Sequence, residues 1–121
     1  MKVILFGATG MIGQAALREC LLDPGVDGVL TVGRRATGQR HAKLREIVHG
    51  DFLDFSAVER DLPGYDTCLY ALGVSSAGMS EADYTRVTYD FALAAAQAVL
   101  RNNPASTFVF VIEALRERRS S

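Results

Sequence analysis

The chain is 121 residues long, 49% hydrophobic and 22% charged, and its 13 basic and 14 acidic side chains leave a formal charge of −1. That is the composition of one ordinary soluble domain with one core, and the even spread of charge excludes a basic face for nucleic acid before the last few residues. Cys20 and Cys68 form no C-x-x-C pair, which argues against a disulfide scaffold or zinc site and leaves both as buried packing residues suited to a reducing cytoplasm.

The chain opens on Val3-Ile4-Leu5-Phe6, a continuous β-rich apolar run closed by Gly7. It is too short for a signal peptide, and no stretch approaches the roughly 18 apolar residues of a membrane span, so a cytoplasmic location without membrane contact is expected. Such a run reads as a strand buried on both faces of a parallel sheet. Helical spacing follows, with Ile12, Ala15, Ala16 and Cys20 as the expected apolar side, until Asp23-Pro24-Gly25 ends it. Val29 to Val32 is a second buried strand ending at Gly33, and Leu44 to His49 a third, less apolar and therefore near an edge. Asp51 to Asp61 holds a short helical turn, and Thr67 to Ala71 is a fourth strand closed by Gly73. From Ser80, an expected N-cap with Asp83 three residues on, the stripe Tyr84, Val87, Phe91, Ala94, Ala95 and Ala98 marks a long helix. Asn102-Asn103-Pro104 stops it, and Thr107 to Ile112 is the fifth and most apolar strand. Five strands joined by such crossovers define a three-layer, doubly wound parallel α/β sheet of Rossmann type, in the expected order 3-2-1-4-5. Residues 1–112 form that domain, and 113–121 a polar, arginine-rich tail that continues as a helical turn or frays.

A phosphate diester held against protein needs backbone N–H groups aimed at it and no side chain in the way, and a strand-turn-helix supplies both. In Gly7-Ala8-Thr9-Gly10-Met11-Ile12-Gly13, Gly7 allows the tight turn, Gly10 lets the backbone close on a pyrophosphate, and Gly13 lets the helix pack on the sheet. Glycines alone are a weak signal, but this set follows an apolar strand and opens an amphipathic helix, so it reads as dinucleotide-binding. Thr9 either adds a hydroxyl hydrogen bond or stabilises the turn.

The end of the second strand separates NAD from NADP, because an acidic residue there accepts from the adenosine ribose. Here it is Gly33-Arg34-Arg35, and a guanidinium binds a 2′-phosphate that a carboxylate would repel. NADP(H) is favoured over NAD, against the alternative of solvated loop charge. Asp51 either reaches the adenine amino group or caps a helix, with Phe52 lining the ring's pocket. Ala71-Leu72-Gly73 would let the nicotinamide ribose lie close to bare backbone. Ser75, Ser76 and Ser80 are explained by solvation and capping before substrate contact. Arg40 and Lys43 lie within reach of the arginine pair without a defined place. His41 and His49 are isolated from other ligating residues, so no metal site is expected.

The glycine turn, Gly33-Arg34-Arg35, Asp51-Phe52, Leu72-Gly73 and Tyr84-Thr85-Arg86-Val87 before Asp90 together resemble the atypical short-chain dehydrogenases/reductases over residues 1 to about 111. Within them the chain is most similar to the Tat-interacting-protein-like branch, near the NAD-dependent epimerase/dehydratase group. The resemblance implies an NADPH-binding Rossmann domain of an oxidoreductase, with cofactor contacts at the positions just named. It also implies a Ser beyond the fifth strand and a Tyr-x-x-x-Lys on the next helix, whose lysine lowers the pKa of the tyrosine acid or base. Neither is found: Lys2 and Lys43 are the only lysines, and neither lies four residues after a tyrosine.

Two readings follow. In the first, the chain is the NADP(H)-binding domain of such an oxidoreductase, truncated after the fifth strand, with catalytic residues and substrate unassigned. In the second it is a non-catalytic NADPH-sensing or protein-interaction module. Either way, ending near Val111 bares apolar faces and a sheet edge, which predicts a homo-oligomer or a partner chain covering them.

Overall fold

The computed structural model describes residues 1–71 and 80–111. Leu72, Gly73, Ser75, Ser76 and the tail from 113 lie outside the described residues. The elements in chain order are β1 (Lys2–Phe6), α1 (Met11–Leu22), β2 (Gly28–Gly33), β3 (Leu44–Val48), a 3-10 turn (Ser56–Asp61), β4 (Thr67–Tyr70), α2 (Glu81–Asn102) and β5 (Thr107–Phe110). The five strands form one all-parallel sheet in the order β3-β2-β1-β4-β5. This is the expected doubly wound α/β sheet of Rossmann type.

The continuous apolar run of β1 hides a period of two, as a strand covered on both faces must. Val3 and Leu5 pack with Leu17 and Leu21 of α1 and with Val29 of β2. Ile4 and Phe6 face the other way, into a cluster with Leu30, Val32, Cys68, Tyr70, the 3-10 turn and Ala95 and Val99 of α2. β3 closes one edge and is only partly buried, as its lower apolar content implies. β5 closes the other, and its Val109 and Phe110 are 38% and 46% exposed despite the strand's apolar character.

The apolar side of α1 differs from expectation. Gly13, Leu17 and Leu21 are buried, Ala16 and Cys20 half-buried, and Ala15 is exposed. The cause is the start of the helix: Gly13 must face the carbonyl of Gly7, and residues four and eight further on then turn inward with it. In α2 the Ser80 hydroxyl accepts from the Asp83 N–H at 3.1 Å, the expected N-cap, while the Asp83 carboxylate pairs with Arg86. The expected α2 stripe packs toward the sheet through Phe91, Ala94, Ala95 and Ala98, with Tyr84 and Val87 half-buried at its start.

Candidate functional site

At the carboxyl end of β1 the chain turns through Gly7 at φ 84, and Gly10 N–H closes the turn on the Gly7 carbonyl at 3.2 Å. That positive φ suits glycine and strains other residues. Gly13 is required for a different reason: a Cβ there would lie 1.8 Å from the Gly7 carbonyl oxygen. Gly10 is different again. Its φ of −75 and ψ of 169 suit any residue, and a Cβ would meet nothing closer than that same oxygen at 3.7 Å. Among the described residues nothing demands glycine at 10.

No side chain caps α1 and its first turn holds no acidic residue. The first intrahelical bond is Gln14 N–H to the Gly10 carbonyl at 2.8 Å. Among the described residues, the N–H groups of Met11, Ile12 and Gly13 therefore have no acceptor, and the positive end of the helix dipole is unopposed. Thr9 contributes its carbonyl, which accepts from Gln14 Nε2 at 2.7 Å. Met11 projects outward, 86% exposed, and Ile12 is half-buried.

Beside this turn, β2 delivers Gly33-Arg34-Arg35. Gly7, Ala8 and Thr9 of the glycine turn, Thr31, Val32 and Gly33 of β2 and both arginines line one cleft of about 230 Å³. Glu46 of β3 shapes its rim: one carboxylate oxygen accepts from the Thr31 hydroxyl at 3.2 Å and from the Thr37 N–H at 2.8 Å. It thereby ties the segment after the arginines back onto the sheet. Among the described residues, neither arginine has a carboxylate within 4.0 Å. The guanidinium carbon of Arg34 lies 5.5 Å from the ring centre of Phe52 and 5.8 Å from that of Phe91. Larger clefts of about 370 and 730 Å³ occur beside Cys20 and Leu69 and along Thr85 and Tyr89. Neither is lined by the glycine turn or by paired cations.

Asp51 and Phe52 follow β3 but do not line that cleft. Asp51 accepts from the Leu53 N–H at 3.0 Å, so its carboxylate organises the local turn, and Phe52 is 1% exposed beneath Arg34. His49 pins the same loop, since its Nε2 reaches the carbonyls of both Asp51 and Asp54 at 2.8 and 2.7 Å. Two carbonyl acceptors require Nε2 to carry the proton. Ala71 extends β4 beside β1, donating to the Phe6 carbonyl at 3.0 Å. The carboxyl ends of β1, β2 and β4 thus lie along one edge of the parallel sheet, with α1 packed on one face and α2 on the other. That is the switch point at which doubly wound sheets take ligands.

Lys43 is not near the arginine pair. Its Nζ bonds the Leu21 and Asp23 carbonyls at 3.3 and 2.9 Å, completing the C-terminus of α1, because a cation is favoured at that negative end. Cys20 is half-buried and Cys68 fully buried, close to the packing role expected of both. Burial pushes the Cys68 thiol well up and the Tyr70 hydroxyl up to about 12. Neither group ionises near neutrality, so neither is a nucleophile or base there. Among the described residues no group of three potential metal ligands occurs, and no helix is long and apolar enough to cross a membrane. Glu46, His49 and Phe91 carry no site signal in the sequence, because a lone acid in a strand, an isolated histidine or an aromatic on an apolar stripe forms no motif.

A glycine turn between a buried strand and an uncapped helix, at the switch point of a 3-2-1-4-5 sheet, defines the class of dinucleotide-binding Rossmann domains. Residues 3–112 match the NAD dependent epimerase/dehydratase family, and the chain belongs to it. A curated relative, the mitochondrial protein FMP52 of Meyerozyma guilliermondii, is 29% identical over 117 residues, covering 92% of this chain and 48% of that protein. The chain therefore spans about half the length of the curated relative it matches. Among solved structures, DesIV, a dTDP-glucose 4,6-dehydratase of Streptomyces venezuelae with NAD and TYD bound, superposes with a TM-score of 0.69 at 18% identity. The match covers 88% of this chain and 38% of that one. A short chain dehydrogenase/reductase of Saccharomyces cerevisiae gives a TM-score of 0.66 at 16% identity, covering 93% and 53%. These likenesses show the fold.

Proposed function

We propose that this chain binds NADP(H) as the cofactor domain of an oxidoreductase of the short-chain dehydrogenase/reductase type. The observation that carries the reading is Gly10: among the described residues the fold leaves room for a side chain there, so the bareness is open to a ligand. An adjoining pyrophosphate fits, because it would accept from the N–H groups of Met11, Ile12 and Gly13, which have no acceptor among the described residues. The preference for a 2′-phosphate rests on Arg34 and Arg35, which share the cleft with the turn and have no carboxylate within ion-pair reach among the described residues. When bound, the cofactor would supply the hydride chemistry, and the residues named here would hold and orient it. The test is calorimetric titration with NADPH and NADH. NADPH is expected to bind tighter, with the advantage lost in Arg34→Ala/Arg35→Ala, and equal affinity for both coenzymes would remove the role given to the arginines.

A second reading, a cofactor-sensing or interaction module without turnover, is favoured by the lining of the cleft, which among the described residues holds two arginines and no lysine, tyrosine or histidine. Lys2 and Lys43 are the only two lysines in the chain, and Lys43 is engaged at the far end of α1. NADPH oxidation against a panel of carbonyl compounds separates the readings: binding without oxidation supports the module, and turnover supports the enzyme. In both, the apolar side chains exposed on α2 (Tyr89, Leu93, Leu100) and at the β5 edge (Val109, Phe110) offer the surface on which a second copy or a partner chain would pack.

A further inference from the structure

Arg34 and Arg35 are adjacent and both exposed, but they are not equivalent. A long cationic side chain on a loop samples many rotamers, and whatever holds it in one before a ligand arrives strengthens binding without adding a contact to the ligand. Arg34 has such a support. Its guanidinium lies over two rings, Phe52 from the loop after β3 and Phe91 from the middle of α2, at 5.5 and 5.8 Å. The rings are 6.0 Å apart and inclined at 50°, which makes a shallow trough. One wall of the trough is fixed by the core. Phe52 is buried and meets Phe6 and Phe55 edge to face, at 6.3 and 5.4 Å, and His49 fixes the loop that carries it. A planar guanidinium lying on aromatic faces keeps its N–H groups at the rim, where they can bind an anion while the rings hold the plane. Among the described residues Arg35 lies over no ring.

We propose that Phe91, with Phe52 beneath the same guanidinium, is a positioning residue that presets Arg34 for the 2′-phosphate of NADP(H) and so sets the preference for NADPH over NADH. The inference rests on the reading that this chain binds NADP(H) through Arg34. It puts a determinant of cofactor choice on α2, outside the glycine turn and the β2 end, where the specificity residues of dinucleotide sites are ordinarily sought. It also gives Phe52 a role through Arg34 rather than through direct contact with the adenine.

Phe91 is the position to test, because it is half-buried whereas Phe52 lies in the core. Phe91→Leu keeps apolar bulk and removes the ring face, and Phe91→Tyr keeps the face. NADPH and NADH are titrated against the wild-type chain and both variants, with thermal melts alongside. Phe91→Leu is expected to weaken NADPH about three- to fivefold, the size of a partly exposed cation–π contact, with NADH unchanged. Phe91→Tyr restores the wild-type ratio. In an Arg34→Ala background Phe91→Leu has no further effect on NADPH, because the two residues act as one unit. Equal weakening of both coenzymes by Phe91→Leu would make the ring a merely structural support and overturn the proposal, as would an unchanged ratio. Failure of the wild-type chain to prefer NADPH overturns the underlying reading and this inference with it. A wild-type preference that survives Phe91→Leu removes the inference alone.

Discussion

Gly10 and Gly13 are three residues apart in one motif and answer to different constraints. A methyl at 13 would lie 1.8 Å from the Gly7 carbonyl oxygen, and both partners are backbone, so no side-chain rotation relieves the clash. Gly13→Ala is expected to destabilise the fold by about 2 kcal/mol or more, in the range of overpacking a filled site. Among the described residues Gly10→Ala meets nothing closer than 3.7 Å at a φ of −75, so its melting temperature is expected to stay near the wild-type value while dinucleotide binding is lost. Denaturant unfolding and coenzyme titration of the two variants check the contrast. A Gly10→Ala chain that still binds would detach the motif from the ligand. At this scale the motif was legible because glycine is the one residue whose absence of a side chain is its message. Glu46 was not, since its link to Thr31 and Thr37 depends on the pairing of β2 with β3 and on the path of the loop between them. The Asp51-Phe52 pair was legible as a feature, but the cover that Arg34 provides over Phe52 depends on where two loops meet.

Elements began and ended close to where turn residues placed them, whereas the faces they bury were harder to read. The α1 pattern contains enough alanine that two adjacent stripes look alike, and the contact between Gly13 and Gly7 decides between them. The end of α2 shows the same dependence on distant partners. Asn103 reads as a helix stop, but its side chain is 8% exposed and makes four hydrogen bonds. Its oxygen accepts from the Gly64 and Tyr65 N–H groups at 2.8 and 3.0 Å, and its nitrogen donates to the Leu62 and Val99 carbonyls at 2.8 and 3.1 Å. The amide thus joins α2 to the turn that launches β4. Asn103→Ala leaves buried backbone groups unpaired and is expected to lower stability by about 2–4 kcal/mol. The same variant leaves the relative affinity for NADPH and NADH unchanged, because it alters neither the glycine turn nor Arg34. A loss measured by urea denaturation of less than about 1 kcal/mol would mean that water replaces the amide, which its burial argues against.

For the whole molecule, strand order was the most legible property. Right-handed crossovers between buried parallel strands leave few arrangements open, and the switch of covering helix between β1 and β4 follows from the order. What a surface does with its apolar residues is set by neighbours, and here their distribution is uneven. Of the ten large hydrophobic side chains that are exposed among the described residues, five lie on α2 and β5: Tyr89, Leu93 and Leu100 of α2, and Val109 and Phe110 of β5. Tyr89, Leu93 and Leu100 are spaced four and seven residues apart and so share one face of the helix. A surface of that kind gains by being removed from water, at about 25 cal/mol for each Å² of apolar area covered. Sedimentation velocity over a concentration series is therefore expected to show reversible self-association of the isolated chain. Leu93→Glu/Leu100→Glu should shift it toward monomer, since charged groups on a closing apolar face must be desolvated without partners. Coenzyme affinity in that double variant should stay at the wild-type value, because neither leucine lines the cleft of the glycine turn. A wild-type chain that remains monomeric throughout the series would show that these side chains are tolerated in water as scattered surface residues. Association that persists in the double variant would move the contact from α2 to the β5 edge, where Phe110 stacks on Tyr70 at 5.3 Å and keeps part of its ring exposed.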